Sequence, residues 1–326
     1  MDLELLFLGT AGSAPTASRG ASATLVRRGG DRLLVDCGEG TQRQLLRSDA
    51  GLFDVEHVFL THLHGDHVLG LPGMLKTFTL RDRDLPLDVY GPRGTRALFS
   101  ALRVLIGRLT YELRVSELEP GDEVSRDGYR VEPFRVAHGS NALGYAVRED
   151  ERPGRFDVPA ADKLGVPDGP ARGALQRGEA VTLSGGRVVR PDEVLGPARR
   201  GRSVVLTGDT APAATVVEAA AGADVLVHEA TFLAEERERA RETGHSTAGE
   251  AALVAREAGV ELLALTHISA RYPGSEVEAE ARELFEQTVV PRDFDLIHVP
   301  LPERGRAELV PRGGRRARGE DVGSAT

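Results

Sequence analysis

Thr61-His62-Leu63-His64-Gly65-Asp66-His67 is the stretch on which the reading of this chain turns. Three imidazoles and a carboxylate fall within six residues, directly after Val55-Glu56-His57-Val58-Phe59-Leu60, whose apolar run reads as a buried strand. Buried together, such groups repel one another or stay poorly solvated, whereas a divalent cation compensates all of them at once. Gly65 is expected to let the turn fold tightly enough to aim ligands from both sides. The set holds no thiolate, and nitrogen and oxygen ligands without sulfur suit a catalytic zinc or manganese better than a structural zinc. The plain alternative is a polar surface loop that happens to be rich in histidine.

At 326 residues the chain exceeds the length over which one hydrophobic core keeps growing, so two packed half-domains or one large layered domain are expected. The lone cysteine, Cys37, excludes an intramolecular disulfide and points to a reducing compartment. Leu3 to Leu8 is too short to span a membrane and lacks the basic start of a secretory signal, so we expect a soluble, cytoplasmic protein. A formal charge of −9 argues against binding of nucleic acid by bulk charge. A local basic patch remains compatible with it, and bound metal ions would add positive potential.

Working outward from the histidine loop, Leu3 to Leu8 reads as a first strand running into the small-residue loop Gly9-Thr10-Ala11-Gly12-Ser13-Ala14-Pro15. A hairpin over 23–36 leads to Asp36-Cys37-Gly38-Glu39-Gly40-Thr41 and a helix near Gln42 to Arg47. Asp36 suits a partner that fixes a ligand histidine's tautomer, and equally a turn-former or helix cap. Helices are expected over Val68 to Leu80 and Arg93 to Ile106, and strands from Leu113 to Ala137 ending at His138-Gly139-Ser140. Taken alone His138 is an ordinary polar residue; beside the histidine loop it becomes a candidate ligand.

Residues 152–202 change character, with Pro, Gly and Arg punctuating a stretch whose apolar periodicity fades. This reads as an inserted arm rather than core. It holds ten basic against six acidic side chains, about +4, while the remainder carries about −13. A polyanion contact and an ordinary solvated loop both fit that count. Core patterning resumes with the strand Ser203 to Leu206, ending at Asp209, and with Asp224 to Val227, running into His228-Glu229-Ala230-Thr231-Phe232. His245-Ser246-Thr247 precedes an alanine-rich helix, with Ser246 or Thr247 as its cap. The strand Leu262 to Leu265 ends at His267, a helix near Val277 to Gln287 and a strand near Leu296 to Val299 follow, and residues 311–326 carry no apolar pattern and read as a disordered tail.

Strand after strand thus ends in a candidate ligand: His62, His64, Asp66 and His67, then His138, Asp209 and His267. Seven groups are more than one tetrahedral ion needs, but they suit two ions sharing a carboxylate. Two such cations polarise a water and offset charge on phosphoryl and leaving oxygens, so phosphodiester hydrolysis is the favoured chemistry.

The His62-x-His64-x-Asp66-His67 pattern resembles the defining motif of the metallo-β-lactamase superfamily. Within it the chain resembles, from residue 3 to about 310, the ribonuclease Z family, which removes the 3′ trailer from precursor tRNA. The likeness rests on Phe7-Leu8-Gly9-Thr10, Asp36 to Gln42, the histidine loop, Thr207-Gly208-Asp209-Thr210, His228 to Phe232 and His245-Ser246-Thr247. It implies an α/β fold, a four-layer αββα sandwich with metals at one edge. It implies one zinc on His62, His64 and His138, another on Asp66, His67 and His267, and Asp209 bridging them, with manganese as the other possible metal. Asp66 would also serve as general base, and His245, oriented by Glu229, would protonate the leaving 3′ oxygen or contact the scissile phosphate. Without the resemblance, His245 is as well explained as a neighbour of a helix cap.

The resemblance further implies that the nuclease domain occupies 1–310 and that 152–202 is an exosite gripping tRNA, with Lys163, Gly169, Pro170, Arg172 and Arg177 as candidate contacts. Members are usually homodimers. Where many relatives read Pro-x-Lys-x-Arg-Asn in the first loop, this chain reads Pro15-Thr16-Ala17-Ser18-Arg19-Gly20. Arg19, a further candidate contact, survives; the lysine and asparagine do not, so an altered cleavage position relative to CCA is expected. The competing readings are another dinuclear-zinc hydrolase acting on small phosphodiesters or esters, and a non-catalytic RNA-binding relative.

Overall fold

The computed structural model describes residues 1–52 and 54–313. Of the expected tail, 314–326 lie outside the described residues. Contacts divide the chain into two compact units, one of residues 1–125, 131–147 and 203–326, the other of residues 126–130 and 148–202.

The strands are β1 (Leu3–Gly9), β2 (Ala23–Arg28), β3 (Asp31–Val35), β4 (His57–Phe59), β5 (Leu87–Gly91), β6 (Leu113–Glu117), β7 (Val124–Arg126), β8 (Tyr129–Arg135), β9 (Leu143–Glu149), β10 (Val181–Thr182), β11 (Val188–Val189), β12 (Ser203–Leu206), β13 (Val225–Glu229), β14 (Leu262–Thr266), β15 (Thr288–Val289), β16 (Leu296–Val299) and β17 (Glu308–Val310). One sheet of eight runs β17-β16-β1-β2-β3-β4-β5-β6; another of seven runs β15-β14-β13-β12-β9-β8-β7. Every residue of β1 is buried, as expected of a strand covered on both faces. The buried Glu4 within it is paired with Arg27 at 2.9 Å.

On one face of the first sheet, Leu6, Leu8, Leu25, Leu34 and Val58 meet Leu71, Met74, Leu75 and Phe78, so helix α3 (Leu71–Leu80) covers that side after α1 (Thr41–Arg47) and the short α2 (Gly65–Val68); α4 (Thr95–Ile106) adds Phe99 and Ile106. On its other face the sheet meets the second one. Phe59 of β4 lies edge-on to Tyr145 of β9 with ring centroids 5.2 Å apart, and the Tyr145 hydroxyl donates to the Leu60 carbonyl at 2.7 Å. The second sheet's outer face carries the alanine-rich cluster that appears to sequence inspection as helical spacing: Ala248, Ala251, Ala252 and Ala255 packed with Val205, Leu226 and Leu263. Two sheets face to face, each flanked by helices, are the expected αββα layering.

The second unit contains α5 (Val158–Lys163), α6 (Pro170–Gln176) and the hairpin β10-β11. Ala161, Val166, Leu175, Val189 and Val194 form a small apolar cluster there, so this segment has a core of its own where fading periodicity suggested none. Within the same unit, Arg202 grips Glu149 with two hydrogen bonds of 2.7 Å, Nε to Oε2 and NH2 to Oε1, a buried bidentate pair. The remaining helices, α7 (Ala214–Ala220), α8 (Arg237–Thr243), α9 (Ala248–Ala258) and α10 (Gly274–Arg282), belong to the first unit. The helix expected over Val68 to Leu80 is broken at residues 69–70 into α2 and α3, and the last helix starts and ends earlier than its apolar pattern suggested.

Candidate metal centre

The parallel run β3-β4-β5 delivers the histidine loop to a sheet edge. His64 is extended and caps α2, which then presents Asp66 and His67 from one turn. Gly65 is not the residue that makes this possible. Its backbone is ordinary for any residue, and an added Cβ would meet only the Leu69 side chain, at 3.1 Å. Gly208, at φ 62, is more demanding: a Cβ there would lie 2.6 Å from Thr61 Cβ. That turn carries Asp209 into the site from the end of β12.

The seven candidate ligands come together in two groups that share one residue: His62, His64, His138 and Asp209, and Asp66, His67, Asp209 and His267. Within each group the candidate donor atoms lie within 4.8 Å of one another. Asp209 divides its carboxylate between them. Oδ2 faces His62 Nε2 at 3.6 Å and His138 Nε2 at 3.9 Å, while Oδ1 faces His67 Nε2 at 3.4 Å and His267 Nε2 at 3.3 Å. Asp66 Oδ2 lies 3.2 Å from His267 Nε2.

The opposite ring nitrogens are held by protein. His67 Nδ1 is 2.7 Å from Asp36 Oδ2, and Asp36 Oδ1 accepts from the Thr61 amide at 2.8 Å, so of its two readings Asp36 takes that of an orienting partner. His62 Nδ1 meets Thr61 Oγ1 at 3.1 Å, His138 Nδ1 meets the Gly244 carbonyl at 2.9 Å, and His267 Nδ1 meets Thr231 Oγ1 at 2.8 Å. This pattern, one nitrogen anchored and the other aimed inward, is that of metal-ligating histidine. Nε2 of His62, Nε2 of His67 and Oδ1 of Asp209 are buried with no hydrogen-bond partner among the described residues. Buried polar atoms are rarely left so. Three of them converging on one place, all nitrogen or oxygen donors, fit a divalent cation.

Electrostatics agree for His62 and the two carboxylates, whereas for His67 burial lowers the pKa but Asp209 and Asp36 outweigh it and raise it well above the usual imidazole value. Burial, then the neighbouring His67, lowers the His62 pKa to about 2, keeping the imidazole neutral as a ligand must be. For Asp209 burial pushes the carboxyl up, but His267 and His67 outweigh it and hold the group well below the usual carboxylate range. For Asp66 burial also pushes up, and the His267 hydrogen bond with the charges of His67 and His267 brings it to about 2, so it is ionised at neutral pH.

Beside the two groups stands a buried acid and imidazole. Glu229 Oε1 accepts from His245 Nδ1 at 2.7 Å and from the Thr210 amide at 2.9 Å, while Oε2 accepts from the Thr231 hydroxyl at 2.6 Å and its amide at 3.1 Å. Burial lowers the His245 pKa, and the Glu229 hydrogen bond and charge more than offset it, so the net shift is upward. Thr247 caps α9, its Oγ1 accepting from Glu250 N, with Glu250 returning a bond to the Thr247 amide; Ser246 instead donates to the Thr210 carbonyl at 2.6 Å. Thr231, which touches both Glu229 and His267, drew no role from sequence inspection because nothing local marks which way its hydroxyl turns.

The candidate contacts outside the cluster are placed differently. Arg19 donates NH1 to Thr10 Oγ1 at 2.7 Å and to the Pro291 carbonyl at 2.8 Å, so it braces the first loop. In the second unit, Gly169 caps α6 and Pro170 begins it. Arg172 is paired with Asp162 and Asp168, and Arg177 with Glu179. Lys163 is exposed at the end of α5.

Residues 18–267 match the model of the metallo-beta-lactamase superfamily, and two packed sheets with twin His/Asp clusters at their edge define a hydrolase of that class. The chain is 50% identical over 308 residues to the ribonuclease Z of Haloferax volcanii, covering 93% of this chain and 97% of that one, and 49% identical over 305 residues to the ribonuclease Z of Myxococcus xanthus, covering 93% and 99%. Among solved structures it is similar to the short form of human tRNase Z, with a TM-score of 0.66 and 27% identity over 92% of this chain and 99% of that one. The chain belongs to the ribonuclease Z family and is an enzyme of the endoribonuclease class.

Proposed function

We propose that this enzyme removes the 3′ trailer from precursor tRNA, leaving a 3′-hydroxyl on the tRNA and a 5′-phosphate on the trailer. What carries the reading is the divided carboxylate of Asp209, one oxygen toward each ligand group, in a chain whose relatives are named ribonuclease Z. In this proposal His62, His64 and His138 would hold one zinc, Asp66, His67 and His267 would hold a second, and Asp209 would serve both; manganese suits the same donors. When bound, two such cations polarise the attacking water and offset charge on the phosphoryl oxygens.

The chain's own residues do the rest. Asp66, ionised and at the rim of its group, accepts the proton lost by the attacking water. His245 is anchored through Nδ1, so the proton it can deliver sits on Nε2; it protonates the leaving 3′ oxygen, and Glu229 sustains the charged imidazole until then. Residues 152–202, within the second unit, are the proposed tRNA-gripping arm, with Lys163, Gly169, Pro170, Arg172 and Arg177 as contacts, the two arginines exchanging carboxylate partners for phosphates. A cytoplasmic homodimer belongs to the same proposal. Among the described residues no helix is long and apolar enough to cross a membrane.

The test is incubation of purified, zinc-loaded protein with a 3′-extended precursor tRNA, followed by analysis of both product ends. One cut near the discriminator nucleotide with the stated termini is expected. No cut, with turnover of a small phosphodiester or ester instead, overturns the tRNA reading in favour of a general dinuclear hydrolase.

A further inference from the structure

A cleft beside the metal centre shares only the first loop and Arg19 with the candidate contacts named above. It has a volume of ≈ 490 Å³ and lies in the first unit between the first loop, α1 and the segment leading into β16. Phe294 forms part of its wall, buried, with a left-handed backbone at φ 73 that a bulky residue rarely adopts. Its amide is pinned to the Phe7 carbonyl at 2.6 Å. The guanidiniums of Arg47 and Arg312 both stack on its ring, 5.1 and 4.3 Å from the centroid. Arg43, one turn before Arg47 on α1, lines the same cleft. Among the described residues none of these three guanidiniums has a carboxylate partner.

The two acidic residues of the lining do not cancel this charge. Asp293 is turned inward, its oxygens taken by Thr10 Oγ1, the Gly20 amide and Gln44 Nε2 at 2.6 to 2.8 Å, and the fourth arginine of the lining, Arg19, is engaged by Thr10 and the Pro291 carbonyl, which leaves Glu39 alone against Arg43, Arg47 and Arg312. A surface that holds two guanidiniums on an aromatic ring beside a third, with a single free acid against them, is arranged for an external anion. The first loop connects it to the candidate metal centre. Ser13 N lies 3.4 Å from His267 Nε2, the Ile268 amide donates to the Thr10 carbonyl, and Thr10 Oγ1 donates to Asp293.

We propose that this cleft binds phosphates of the single-stranded trailer on the His267 side of the cut, an inference that rests on the precursor-tRNA reading above. Its volume suits one or two nucleotides of single strand and not a duplex. On the mature side of the cut the strand enters the paired acceptor stem almost at once, so an unpaired segment of that length is trailer. Arg43, Arg47 and Arg312 hold it as positioning residues. Phe294, with two guanidiniums over its ring, contributes their placement rather than base stacking.

The experiment compares kcat/KM for two precursors of one tRNA, with trailers of one and six nucleotides, in the wild-type enzyme and in a variant combining Arg43→Ala, Arg47→Ala and Arg312→Ala. The wild type is expected to favour the longer trailer, and the variant to lose about tenfold in the six-to-one ratio, through KM. The magnitude of its log KM against log salt slope for the longer substrate should fall by roughly 2, from three lost contacts with single-stranded RNA. A second variant with the three positions changed to lysine should recover most of the ratio. A six-to-one ratio equal in wild type and alanine variant overturns the inference, as does an equal loss on both substrates, which would place the cleft's contacts on the tRNA body. A wild type that cuts neither precursor instead defeats the reading on which the inference rests.

Discussion

His245 and Glu229 are the pair whose chemistry is most open to titration. Because the folded environment raises the His245 pKa above 6.5, the charged imidazole persists to higher pH than a free histidine, and the acid form is lost as pH rises through that raised value. The pH profile of kcat should therefore fall on its basic side above 6.5, and Glu229→Gln, which removes the charge and acceptor that sustain it, should move that limb to lower pH. His245→Ala should cost about 100-fold or more in kcat. A basic limb unmoved by Glu229→Gln would remove Glu229 from this role. Asp36 acts one step further out. Asp36→Asn alters the acceptor held by His67 Nδ1 and should weaken metal affinity or activity by roughly 10- to 100-fold, measured by zinc competition with a chromogenic chelator. At this scale the sequence was most readable where ligands are contiguous, in His62 to His67. Asp36 was open between two roles because a turn-former and an orienting carboxylate look the same in a line of residues; only the approach of His67 from 31 positions away separates them.

Among the elements, the turns after strands do the positioning. Gly208→Ala would place a Cβ against Thr61 in a left-handed backbone, and should destabilise the fold by more than ~1 kcal/mol while displacing Asp209. Thr247→Ala removes the cap of α9 and should cost about 1 kcal/mol in denaturant unfolding, with the Ser246 contact to Thr210 left in place. Strand ends at His138, Asp209 and His267 were recoverable because each follows an apolar run that stops at a glycine or a polar residue. Gly65 was misread for a related reason: glycine beside ligands suggests a tight turn, whereas the steric demand falls where distant segments touch, as at Gly208 against Thr61 and Gly38 against the Asp66 carbonyl. The core of the second unit escaped periodicity because Ala161, Val166, Leu175, Val189 and Val194 arrive singly among Pro, Gly and Arg.

At the scale of the whole molecule, the proposed function puts catalysis in the layered unit and tRNA grip in the arm. Deleting residues 155–198 should abolish precursor cleavage while a model diester is still hydrolysed; loss of both activities in a folded, metal-loaded protein would contradict that division. The first loop bears on where the cut falls. Arg19 braces it from within, and residues 15–20 lack the lysine and asparagine that the family resemblance leads one to expect, so 3′-end mapping on precursors with and without encoded CCA should show altered positioning. A cut after the discriminator alone, with CCA-bearing tRNA refused, would show the usual positioning instead. The most direct measurement is the rate of precursor-tRNA cleavage by chelator-stripped protein as zinc is restored and bound metal per chain is counted. Cleavage should be absent in the stripped protein and reach its plateau at two ions per chain; full cleavage with no metal bound, or two bound ions without any cut, would contradict a two-metal nuclease bridged by Asp209.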